Sequence, residues 1–173
     1  MVAPGGRASY LGAMRSLLLV PALVALAVVP ALAQQRGAAT TPQGPRRLGD
    51  FQSWTAAVHS EGGQKVCYAF TRASRTDPSR EGVILTVTHR TNGRDQVALS
   101  AGYAYPRNAA VTVSIGQTQL PFYTGGNSAF ARDGRAAVAA FRNGAQAVAR
   151  GPRAGGRGTA TDTFTLAGFS AAY

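Results

Sequence analysis

From Gly49 onward, apolar and polar positions alternate with period 2 in short runs broken by turn residues. That pattern predicts antiparallel strands of an all-β sandwich or barrel-like domain. In Phe51–Val58, one face would hold Gln52, Trp54, Ala56 and Val58. In Gln64–Thr71, Val66, Tyr68 and Phe70 oppose Lys65, Cys67 and Ala69. Val83, Leu85 and Val87 alternate with Ile84, Thr86 and Thr88, and Asn92-Gly93 predicts a hairpin into Gln96–Tyr103. A second hairpin is predicted where Val111, Val113 and Ile115 lead through Gly116-Gln117 into Thr118–Thr124. Pro121 lacks a backbone donor, which predicts an edge strand or a bulge there. Thr161, Thr163 and Thr165 alternate with Asp162, Phe164 and Leu166 in a late strand after the Gly151–Gly158 loop.

The period changes once. Asp133 is a suitable N-cap, Ala136 to Ala140 favour helix, and Asn143-Gly144 is a stop signal. Val138 and Phe141 stand three apart, so one short helix should lie with that face on a sheet.

The first 33 residues follow a different rule. Arg15 precedes Leu17–Val29, an apolar run broken only by Pro21, and Ala31 and Ala33 make an A-x-A cleavage signal. The run is shorter than the ~20 residues of a membrane span. A cleaved signal peptide over 1–33 is expected, with the cut between Ala33 and Gln34 and a periplasmic or secreted product; a membrane anchor is the competing reading. Met1 and Met14 both remain possible starts. Residues 34–48 are Gln, Gly, Pro, Thr and Arg with little to bury, and read as a flexible basic linker carrying Arg36, Arg46 and Arg47. The domain then spans 49–173.

Charge sharpens this picture. The chain has 173 residues, with 18 Lys+Arg against 7 Asp+Glu. Losing Arg7 and Arg15 with the leader leaves 16 basic residues and a net charge of +9. Arg36, Arg46 and Arg47 are therefore candidate contacts to anionic surfaces: lipid headgroups, lipopolysaccharide, glycans or a host-cell component. The competing reading is compositional, because an Ala-, Gly-, Arg- and Pro-rich chain suits a GC-rich genome.

Candidate chemistry is sparse. One Cys and two His exclude a disulfide framework and a Cys- or His-rich metal centre. Walker A, G-x-G-x-x-G, H-E-x-x-H and G-x-S-x-G motifs are absent, so no cofactor is expected. Cys67 with His59 or His89 is the one conceivable nucleophile–base set, against a packed Cys67 and two solvated histidines. Asp162, which follows Arg157 closely, is expected to make a structural Arg–Asp pair or a turn hydrogen bond, against general acid–base work. Tyr103, Tyr105, Phe122 and Tyr123, interleaved with Arg107, could stack on nucleic-acid bases, but sheet packing is favoured and nucleic acid is disfavoured as a partner.

Several blocks in order resemble the invasion-associated locus B family of exported bacterial proteins. They are Trp54, Val66-Cys67-Tyr68, the Val83–Arg90 strand, Gly102-Tyr103, the Val111–Gly116 strand, an Asn127–Phe130 turn leading to the helix, Arg157-Gly158-Thr159 and Asp162–Phe169. The resemblance covers roughly residues 49–170. It implies a β-strand domain in the periplasm or at the surface, linked in some intracellular bacteria to host-cell invasion, with no established catalytic residues. Two features depart from the family pattern: relatives often carry a second Cys and a longer C-terminal segment. The expectation is an exported, noncatalytic, envelope- or surface-associated protein. The alternative is a small periplasmic hydrolase with a site of unfamiliar form.

Overall fold

The computed structural model describes residues 44–173. Eleven strands form one antiparallel sheet in the order β1-β2-β3-β5-β6-β9-β8-β7-β10-β11-β4. They are β1 Arg46–Phe51, β2 Trp54–Glu61, β3 Gln64–Arg72, β4 Arg75–Asp77, β5 Ile84–Arg90 and β6 Gly93–Ser100. The second half holds β7 Ala110–Ile115, β8 Thr118–Gly125, β9 Ser128–Ala131, β10 Gln146–Pro152 and β11 Thr159–Thr165. Two helices follow: α1 at Gly134–Asn143 and the single turn α2 at Phe169–Ala172.

The sheet curls round one core. Ser74, just after β3, donates its N–H to Thr163 of β11 at 2.8 Å, although β3 is third and β11 tenth in the order. The end strands β1 and β4 do not pair with each other, so the sheet stays open.

Register decides which face is core. Residues directly opposite in antiparallel strands share a face. One inward row runs Ala56–Ala69–Val87–Val97, and the next runs Thr71–Leu85–Leu99–Ala129. All eight are buried. Cys67 and Ala69 therefore belong to the core side of β3, and Tyr68 and Phe70 to the outward side. The closing residues are aromatic: Phe169 of α2 stands 4.8 Å from Trp54 and 5.4 Å from Phe141 of α1, ring centre to ring centre. Trp54 Nε1 donates to the carbonyl of Thr165 at 3.1 Å.

Helix α1 takes the predicted form. The Asp133 carboxylate accepts from the Ala136 N–H, and Ala137, Val138 and Phe141 are buried. Gly144 ends the helix without a left-handed turn. A side chain there would come within 2.2 Å of Ile115 Cγ2, so close approach selects glycine.

Three expectations are corrected. Residues 46–48 begin strand β1, with Arg46 opposite Val58 and Arg47 opposite Ala57, and so are not part of a linker. Pro121 is neither at an edge nor in a bulge: β8 lies between β9 and β7. Its carbonyl accepts from the Arg132 N–H just past the end of β9, so the ring nitrogen, with no proton to return, falls where that ladder stops. Asn127–Phe130 is mostly strand β9, not a turn into the helix. The expected signal peptide over 1–33, residues 34–43 and Arg36 lie outside the described residues.

Candidate functional site

Of the three arginines expected to meet anionic surfaces, Arg46 and Arg47 are exposed on β1, and Arg47 forms an ion pair with Asp50. Arg46 and Arg47 thus occupy fixed positions on an edge strand. The aromatic set does not assemble. Phe122 is in the core, Tyr103 and Tyr105 pack edge to face against each other, and only Tyr123 is widely exposed.

Cys67 and His89 do meet, in register across β3 and β5 on the inward face. They line a cavity of about 210 Å³ with Leu48, Ala69, Val87 and Tyr173. His59 is opposite Val66, on the other face, with its ring against Tyr68. His89 is not solvated as expected: its side chain is 15% exposed, and Tyr173 packs edge-on against it at 4.8 Å. Burial pushes its pKa down, aided by Arg94 and opposed by Asp95. Its Nδ1 accepts the Asp95 N–H at 3.1 Å, so the proton of the neutral ring sits on Nε2. A base able to take a thiol proton needs a free ring nitrogen. Here Nδ1 is already an acceptor and Nε2 carries a proton.

A second polar cluster sits at the other end of the sheet. Asp162 faces inward in the row with Phe164, and its partner is Arg80, at 2.5 Å, instead of Arg157. Arg80 also donates to the carbonyls of Ala101 and Pro78. Asp162 Oδ1 is buried without a hydrogen bond. Burial raises the Asp162 carboxyl to about 6 despite the Arg80 charge. Burial likewise raises the hydroxyls of Tyr103 and Tyr105. Every Arg80 bond ties down a loop, which marks the cluster as structural.

The outward face offers a more open arrangement. One outward row runs Phe70–Thr86–Ala98–Phe130–Tyr123 across five strands, and a neighbouring row holds Tyr68–Thr88–Gln96. Over these rows lies a groove of about 480 Å³, floored by Thr88 and Ala98, with Tyr123 and Phe130 on one side and Arg90, Arg94 and Gln96 on the other. A depression of about 390 Å³ continues it, sharing Arg94, Asp95 and Gly134 and adding Asp133 and Arg135. Gly134 makes the junction, since a Cβ there would lie 1.7 Å from the Asp95 carbonyl oxygen.

Arg90, Arg94 and Arg135 line this track against two carboxylates, Asp95 and Asp133. Arg90 is tied, Nε to Glu61 at 2.8 Å and Nη1 to Gln96. Asp133 caps α1, and Asp95 accepts the Tyr173 hydroxyl at 2.5 Å. Arg94, Arg132 and Arg135 are exposed, and none forms a salt bridge among the described residues. The Arg132 guanidinium sits over the Tyr123 ring at 5.8 Å. Among the described residues, no group of three or more His, Cys, Asp or Glu could hold a metal ion, and no helix is long and apolar enough to cross a membrane.

Comparison with known proteins adds a decisive observation: residues 54–173 match the Invasion associated locus B (IalB) protein family. The chain belongs to the IalB family. A crystal structure of invasion associated protein b from Bartonella henselae matches this IalB domain with a TM-score of 0.56 at 20% identity. The match covers 72% of this chain and 90% of that one. No curated protein matches the sequence. The blocks that carried the resemblance are largely core of the IalB domain, as with Trp54, Leu85, Val87, Val111, Val113 and Phe164. They specify packing. Arg94 and Arg135 of the groove lie outside those blocks, which is why sequence reasoning missed them; Tyr123 was singled out, but with other partners. The available signal was Arg94 beside the β5–β6 turn and Arg135 beside the Asp133 cap.

Proposed function

We propose that this IalB-family protein is exported and works by binding, without catalysis, attaching to anionic surfaces in the envelope or outside the cell. One observation carries the reading: Arg94, Arg132 and Arg135 line or border one groove with no carboxylate in ion-pair contact. Asp95 and Asp133 line the same track and offset part of the field, but guanidiniums outside an ion pair keep their hydrogen-bond donors for a ligand. The net charge of +9 expected after leader removal adds long-range attraction, and Arg46 on edge strand β1 adds another free cation. The protonation pattern of His89 supports the noncatalytic half of the reading. For a family named for invasion, contact with a host cell would run through such a surface.

Co-sedimentation with anionic and neutral vesicles at two salt concentrations tests this. Binding to the anionic vesicles alone is expected, falling steeply with salt because screening acts beyond about 10 Å at 0.1 M. Equal binding to both vesicle types would end the proposal. Export has its own test: mass spectrometry of protein from the native host should find Gln34 at the N-terminus, and intact Leu17–Val29 in the membrane fraction would contradict it.

A further inference from the structure

The groove between Tyr123 and Arg94 has more chemistry than a generic basic patch, and we infer that it is a subsite for a linear acidic carbohydrate chain. The inference rests on the anion-binding reading above and names its ligand class. Three features select this class. The site is recessed into the outward sheet face, and its two depressions run on through Arg94, Asp95 and Gly134. A continuous track suits a chain of rings, whereas a flat bilayer would meet only the rim.

The lining is divided. Tyr123 and Phe130 form an aromatic wall, with rings 5.4 Å apart and 30° from parallel, and Arg132 braces it from outside. Sugar rings present C–H faces that pack on such walls. The opposite wall and floor are polar. Gln96 accepts from Arg90 and keeps its amide donors, and the Thr88 hydroxyl makes no side-chain hydrogen bond. Both can serve sugar hydroxyls.

The charges are placed for repeated acidic groups. Arg94 is shared by the two depressions and Arg135 lines only the second, with Asp95 and Asp133 beside them held by the Tyr173 hydroxyl and the Ala136 N–H. Guanidinium forks take carboxylate or sulfate with two parallel bonds. Phosphate headgroups would satisfy the same forks but leave the aromatic wall and polar floor unused.

The test is titration calorimetry on the mature chain with a heparin-derived octasaccharide, a neutral dextran oligosaccharide of equal length, and phosphatidylserine vesicles. The octasaccharide should bind and the dextran should not. Arg94→Gln and Arg135→Gln should each weaken the octasaccharide roughly five- to tenfold. Tyr123→Ala should weaken it roughly fivefold. Arg150→Gln, on exposed β10 surface outside the groove, removes the same charge and should change binding less than about twofold. Near-uniform retention of affinity in the groove variants, or equal loss in Arg150→Gln, overturns the subsite. Salt-sensitive vesicle binding without octasaccharide binding overturns the subsite and leaves the anion-binding reading standing. Absence of both removes the two together.

Discussion

Replacing Asp162 by Asn probes the buried Arg80–Asp162 pair. The carboxyl is 3% exposed, one of its oxygens has no partner, and burial raises its titration from an ordinary 3.8 to about 6. Two effects oppose each other. Arg80 at 2.5 Å attracts the carboxylate, while the interior penalises its charge. The raised value means the interior wins. The folded state therefore favours the protonated acid. That stabilisation is present in full below pH 3.8 and is lost as pH rises through about 6. Linkage makes the loss about 3 kcal/mol. Asn imitates the protonated acid and does not titrate. The variant should match the wild type near pH 3.5 and exceed it by about 3 kcal/mol at pH 7.5, or about 10 °C in Tm for a domain this size. Urea unfolding followed by fluorescence of Trp54, the single and fully buried tryptophan, reads this at each pH. Taking the difference between the two proteins cancels the other titrating groups. A variant less stable than the wild type at pH 7.5 would refute the reasoning, because Arg80 attraction would then outweigh burial.

Other perturbations follow from the packing. Phe169→Ala empties the space between Trp54 and Phe141, and should cost about 3–5 kcal/mol with a red shift of Trp54 emission; native-like emission and stability would contradict the packing role. Cys67→Ser should leave vesicle binding within a few-fold of wild type, since Cys67 lines an inner cavity away from the outward groove; a loss of roughly a hundredfold without unfolding would restore the nucleophile reading.

The sequence revealed elements wherever a local signal sufficed. The Gly116-Gln117 hairpin appears at its predicted place, and the Asn92 turn falls within a residue of it. The Asp133 cap and the Val138–Phe141 face are found as expected. What escaped depended on distant partners. Strand β1 looks like a linker because its residues are exposed and polar, and only β2 beside it orders them. Period 2 separates two faces but does not say which is inside. In β3 the larger Tyr68 and Phe70 face outward, because Ala69 and Thr71 must fit opposite Val87 and Leu85. Asp162 shares a strand face with Phe164 and Leu166, a local sign of an inward carboxylate, yet its partner Arg80 is 82 positions away. The groove has the same origin: its aromatics come from β8 and β9 and its cations from the β5–β6 hairpin and α1.

The bond from Trp54 to Thr165 spans 111 positions, and Phe169 closes the core over the same ring. A nascent chain holds Trp54 long before it holds either partner. Until residues 165–169 emerge, the β2 end of the core has no seal, and contacts of such long range form slowly. Delayed closure suits the export proposed above, since a secretion channel takes an unfolded chain. Residues 165–169 would thus set the moment at which this end of the core closes and the native domain becomes permanent.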